Sequence, residues 1–142
     1  MGTGIDRAAL ILVAVVASAG CDTREDEGEA PPTFRDVQQL VFTPKCSQAS
    51  CHSVQFHAGD LILEEGMAYE QLLGAVSNQA AADEGLVQIA VGEPEDSFLW
   101  IKLDRELEAR HGAVMPLGSN DGLPDADLDL IRRWIAAGAI ND

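Results

Sequence analysis

Positive charge is scarce in this chain: nine Lys and Arg stand against 24 Asp and Glu in 142 residues, a net charge of −15. Asp6 and Arg7 cancel within the first twenty residues, so the remainder carries the whole imbalance. Such a surface repels nucleic acid and anionic membrane alike, and any charged protein partner must offer a basic patch. Internal repeats are absent, and no strictly alternating strand pattern runs for more than a few residues. There is no glycine-rich phosphate loop and no nucleophile paired with a base. The carboxylates lie in solvated-looking runs with no apolar setting to separate their pKa values, so the chain does not read as an enzyme. At this length a second independent core is excluded.

The N-terminus, MGTGIDRAALILVAVVASAGC, holds one Arg, an apolar run from Ala8 to Ala17 and then small residues. That is the layout of a signal peptide over residues 1–20, and the run is too short to cross roughly 30 Å of hydrocarbon comfortably. Two processing readings meet at its end. Ala17-Ser18-Ala19 fits an A-x-A site that would release a protein beginning at Gly20. Ala19-Gly20-Cys21 fits the end of a bacterial lipoprotein box, relaxed at Ser18, and would leave Cys21 as a lipidated N-terminus. The acidic segment DTREDEGEAPPT that follows has the composition of a tether, here residues 21–33, and favours the lipoprotein reading. The expectation is an exported protein, periplasmic or cell-surface, held at a membrane only through a lipid. Export also means an oxidising compartment.

Residues 34–142 read as one mostly helical domain with long loops. Phe34, Val37, Leu40 and Val41 recur at helical spacing, with Thr33 as N-cap and Pro44 as a stop. HAGDLILEEG reads as an extended loop with Leu61 and Leu63 inward, a short helix follows around Met67 to Leu73, and Ser77 to Gly85 reads as loop. LVQIAVG is a short extended piece. Asp96 or Ser97 caps a helix through Phe98, Leu99, Ile101 and Leu103. In the last helix Leu128, Ile131, Trp134 and Ile135 share a stripe, Asp125, Asp127 and Asp129 crowd the favourable N-terminal end, and Gly138 supplies the stop. So much irregular chain buries little apolar surface, and a disulfide, a metal or a large apolar prosthetic group is the natural supplement.

Residues 46–53 read CSQASCHS. Covalent haem attachment requires two thiols for the vinyl groups on one porphyrin edge and an imidazole to reach the iron from one face. The adjacency of Cys51 and His52 meets the stricter requirement. The gap after Cys46 is four residues rather than the two of C-x-x-C-H, and the two extra residues add roughly 7 Å of contour that a loop can absorb. A second axial ligand is offered by Met115 in GAVMPLGS, a loop bounded by Gly112, Pro116 and Gly118 rather than an amphipathic stripe. Met67, at the start of a helix, competes less well. Two other chemistries stay open: a Cys46–Cys51 disulfide in a haem-free surface binding or scaffold module, and a zinc site using Cys46 and Cys51 with His57 or His111. The disulfide leaves His52 and the Met-Pro loop unexplained, and zinc lacks a full ligand set. Otherwise His57 and His111 read as exposed loop residues. The expected pocket walls are Phe42, Phe56, Leu61, Trp100, Pro116, Leu117 and Trp134.

Taken in order, CxxxxCH, VGEPEDSFLWIKL, MP followed by a glycine, and the terminal LxxIRRWIxxGA resemble the small c-type cytochrome domains of exported bacterial proteins, in their C-x4-C-H form. The resemblance covers Phe34 to Ala139. It implies an all-α, cytochrome c-like fold with loops wrapped round one haem c, thioether bonds at Cys46 and Cys51, proximal His52 and distal Met115. It also implies one-electron transfer to a redox partner protein. A labile Met115 would instead make the domain a haem sensor or small-ligand binder.

Overall fold

The computed structural model describes Met1, residues 29–104 and residues 106–142. The signal segment, the proposed lipidation site Cys21 and the tether up to residue 28 lie outside the described residues. Among those described, five α-helices are joined by loops and short 3-10 turns, and the only strand-like pairing is an isolated bridge between Val87 and Ser97. The described residues are helix-rich and form no strand, as the periodicity predicts for a mostly helical domain. No described helix is long and apolar enough to cross a membrane.

The first helix, α1 (Phe34–Val37), begins with a reciprocal cap: Thr33 Oγ1 accepts from the Asp36 N–H at 3.1 Å, and Asp36 Oδ2 accepts from the Thr33 N–H at 2.9 Å. The Thr33 hydroxyl, which donates to Asp36 Oδ2 at 2.7 Å, and then the Thr33 N–H hold the Asp36 carboxyl below its ordinary range. The chain does not stop at Pro44. It continues as a π-helix, Gln38–Cys46, closed by the Ser47 N–H on the Phe42 carbonyl at 2.8 Å. An i→i−5 pattern loosens the turn holding the proline ring. The bond that Pro44 cannot donate would fall on the exposed side, by Gln39, where water can replace it. Cys46 is therefore the last residue of the helix rather than a residue beyond it.

The other helices are α2 (Ala68–Leu72), α3 (Gln79–Asp83), α4 (Phe98–Leu103) and α5 (Asp125–Ala136). Residues 77–85, expected to be loop, contain α3, whose first turn is capped by Asn78 Oδ1 accepting from the Ala81 N–H at 2.9 Å. Three small alanines give too weak a periodicity to announce a helix. Ser97 stands at the N-terminus of α4 but does not cap it. Its hydroxyl, fully buried, accepts from the Ala90 N–H at 2.9 Å and donates to the Glu93 carbonyl at 3.0 Å, tying the preceding loop together.

In the main core α1 packs on α5. Phe34 lies 5.3 Å from the Trp134 ring and meets Tyr69 of α2 edge-on at 5.1 Å. Ile131, Trp134 and Ile135 of α5 are buried with Val37, Val41 and Phe42, as the stripe on α5 predicts. Gly138, at φ 108°, ends α5 in a conformation that other residues rarely adopt. A smaller cluster of Val76, Ala81 and Phe98 lies on the α3 side. Between the two the chain leaves a cavity.

Candidate functional site

The cavity measures about 620 Å³ and is mostly apolar, within the size range of small-molecule and cofactor sites. Its wall takes Phe42, Lys45 and Cys46 from the π-helix, and Cys51, His52, Leu61 and Leu63 from the following loops. Leu99, Lys102 and Leu103 come from α4, Met115 and Pro116 from the next loop, and Ile131 from α5. All four residues singled out around the cysteine motif, Cys46, Cys51, His52 and Met115, line this one space. Interiors leave few voids larger than a water. An apolar space of this size is not ordinary packing, and it accommodates solvent or a ligand.

The four residues between the cysteines have a structural task. A helix ends with unpaired carbonyls. Here the Phe42 carbonyl takes the Ser47 N–H at 2.8 Å, the Thr43 carbonyl takes Ser47 Oγ at 3.1 Å, and the Pro44 carbonyl takes Gln48 Nε2 at 2.6 Å. The chain then turns back, with Cys51 N–H on the Gln48 carbonyl at 2.8 Å and His52 N–H on the Cys46 carbonyl at 3.1 Å. Ser47 and Gln48, the two residues in excess of the shorter motif, form the C-terminal cap of the helix that carries Cys46. Both cysteines line the cavity.

Cys46 and Cys51 are free thiols, both partly buried. Burial, with a smaller contribution from nearby Cys51, pushes the Cys46 thiol up to about 12, so it stays protonated at neutral pH. Lys45, its neighbour in sequence, pairs with Asp127 and ties this end of the π-helix to the first turn of α5. The His52 ring is oriented by Nδ1, 3.2 Å from the Leu61 carbonyl. A carbonyl only accepts, so Nδ1 is the donor in this bond, which leaves Nε2 as the ring nitrogen a ligating imidazole would use. His52 is held from its backbone too, its carbonyl accepting from the Leu63 N–H at 2.7 Å. Leu63 is fixed in turn by Gln38 Nε2 on its carbonyl at 3.0 Å. Met115 donates its N–H to the Lys102 carbonyl at 2.8 Å, and its half-buried side chain packs against the main core.

Several expectations are corrected. His111 is not an exposed loop residue: it is 5% exposed, meets Phe98 edge-on at 5.7 Å and places Nε2 3.0 Å from Glu84. Glu84 also pairs with Arg110 at 2.7 Å. The segment around His111 has no apolar periodicity, so nothing in the sequence marks it as interior. His57 is exposed, with Nδ1 3.4 Å from the Val54 carbonyl. Among the described residues no three His, Cys, Asp or Glu side chains converge to hold a metal ion, so the zinc set of Cys46, Cys51 and His57 or His111 is not assembled.

Of the expected walls, Phe42, Leu61, Pro116 and Leu117 line the cavity. Phe56 is 60% exposed, Trp134 belongs to the packed core, and Trp100 faces elsewhere. Met67 is exposed at the start of α2 and takes no part. Leu63, Phe98, Leu99, Lys102, Leu103, Leu123 and Ile131 also line it, as does the buried His111. Their apolar members look in sequence like any core residue, and Lys102 looks like a surface one. Comparison with known protein families, with curated proteins and with solved structures finds no match.

Proposed function

We propose that the cavity holds a single haem c and that the protein is an exported one-electron carrier with a cytochrome c-like fold. The observation that carries this reading is the convergence on one apolar cavity of two free thiols, an imidazole with Nε2 available and a thioether. The donor set fits the group. Cys46 and Cys51 would form the thioether bonds, and His52 and Met115 would ligate the iron.

The haem supplies an iron that changes oxidation state by one electron, and a thioether ligand biases its potential upward relative to bis-histidine ligation. The chain's own residues supply position and environment. The Leu61 carbonyl fixes the His52 ring, and the cap built by Ser47 and Gln48 fixes the cysteines. Leu63, Leu99, Leu103 and Ile131 exclude water from the inner wall, which lowers the local dielectric around any charge that changes there. With His52 and Met115 both bound to the iron, the group would carry electrons rather than bind a substrate. The net charge of −15 points to a redox partner with a basic docking patch, and Cys21 is the proposed lipid anchor.

The test is expression of the full chain with a haem-attachment system, followed by a pyridine haemochrome spectrum and the intact mass. One covalently bound haem per chain is expected, lost in the Cys46→Ala, Cys51→Ala double variant. A mass without haem and two hydrogens short would overturn the reading in favour of a haem-free module with a Cys46–Cys51 disulfide.

A further inference from the structure

Lys102 is a partly buried cation in the cavity wall, and among the described residues no ion pair engages it. Its Nζ donates instead to the His111 carbonyl at 3.0 Å and to the Ala113 carbonyl, while its own carbonyl accepts the Met115 N–H at 2.8 Å. One residue of a helix thus grips the following loop at three points over residues 111–115. Gly112 lies between the two carbonyls that Nζ bridges. A Cβ there would come within 3.4 Å of Nζ, and the backbone φ of +88° already suits glycine. Burial shifts the Lys102 ammonium below its ordinary range, in keeping with an amine turned towards backbone carbonyls rather than water.

We propose that Lys102 is the positioning residue for Met115, holding loop 111–115 so that the thioether stays on the cavity wall. In its bearing on iron ligation the inference rests on the haem reading above; in its bearing on the loop it stands on the hydrogen bonds alone. Hydrogen bonds from an ammonium are stronger than neutral ones, and between the buried His111 and the half-buried Met115 the loop has little packing of its own: Gly112 and Ala113 are exposed and Val114 is only half-buried.

The experiment compares the wild-type full chain with Lys102→Met, which keeps the length and apolar stem but removes the donors. Amide hydrogen exchange is read by mass spectrometry over residues 111–117 and over 34–46, in haem-loaded protein. Exchange over 111–117 is expected to accelerate at least about tenfold, the factor that about 1.4 kcal/mol represents, with 34–46 unchanged. At equal covalent haem content, the thioether-to-iron charge-transfer band should weaken as it does in Met115→Ala. Unchanged exchange over 111–117 would overturn the proposal. So would an unchanged band in Lys102→Met when Met115→Ala abolishes it, and that result would leave the haem reading intact. If the wild type carries no haem, the haem reading falls, and exchange in the unloaded chain still decides whether Lys102 holds the loop. Global loss of protection in both Lys102→Met and Lys102→Gln would also overturn it, because Lys102 would then be a residue of the whole fold.

Discussion

Deleting Ser47 and Gln48 would convert the cysteine stretch into the familiar C-x-x-C-H, and the structure predicts that this apparent repair is destabilising. Four hydrogen bonds disappear: Ser47 N–H to Phe42, Ser47 Oγ to Thr43, Gln48 Nε2 to Pro44, and Cys51 N–H to Gln48. Two are backbone bonds, worth about 1 kcal/mol each. The two side-chain bonds are exposed and worth about 0.5 kcal/mol each, for a total of about 3 kcal/mol. Against a domain stability of roughly 5–15 kcal/mol the loss is large. With a urea m-value of about 2 kcal/mol/M it lowers the unfolding midpoint by about 1.5 M. The assay is urea unfolding followed by far-UV circular dichroism, with both chains haem-free and in reductant. Ser47→Ala alone should cost only about 0.5 kcal/mol. A deletion variant whose midpoint stays within about 0.3 M of the wild type would show that the residues between the cysteines are slack, and the capping argument would fail.

Two further outcomes follow from groups whose titration is displaced. With the Cys46 thiol pushed up to about 12, alkylation of Cys46 at pH 8.5 in the unloaded, reduced chain should run at least about tenfold slower than for an ordinary cysteine. Peptide mass spectrometry after timed iodoacetamide treatment measures this, and a rate equal to that of a denatured control would refute the burial. The Asp36 carboxyl is held below its ordinary range by Thr33, so its folded pKa lies below its unfolded one. That contribution is present above the unfolded value and is lost as pH falls through the folded one. Thr33→Val should therefore be less stable than wild type at pH 6–8, with the gap narrowing below about pH 4. A gap that is constant down to pH 2.5 would contradict the pairing.

What could be read from the sequence divides along physical lines. The stripe on α5, the capped start of α1 and the inward Leu63 follow from periodicity and capping, which are local, and the structure has them. Pro44 misleads because a proline stops an ordinary α-helical turn, whereas here the turn is widened and faces water. Ser97 misleads because its hydroxyl serves a neighbouring loop instead of its own helix. Of the site, the members with unusual chemistry were legible: Cys46, Cys51, His52 and Met115 stand out by residue type and spacing. The parts that hold them were not. That Lys102 grips a loop, or that Gln38 fixes Leu63 behind His52, depends on contacts between residues remote in sequence, which leave no pattern in either segment.

The same division bears on how the domain opens. The core of α1, the π-helix, α2 and α5 is held by large buried side chains, among them Phe42, Trp134, Ile131 and Leu72. The cavity rim is held mainly by hydrogen bonds to loop carbonyls: His52 on Leu61, Leu63 on His52, Lys102 on His111 and Ala113. Such bonds contribute about 1 kcal/mol each, against about 1.5–3 kcal/mol for a fully buried large apolar side chain. In the unloaded chain the rim should therefore open well before the core, so that loops 47–63 and 111–117 exchange their amides by local opening while 34–42 and 131–135 exchange only on global unfolding. A group bonded to Cys46 and Cys51 and ligated by His52 and Met115 would join both loops across the cavity. Loading should then slow exchange in the two loops together, far more than in the helical core. If protection instead rose evenly over the whole domain, the rim would be part of the core's cooperative unit, and the separation drawn between them would be wrong.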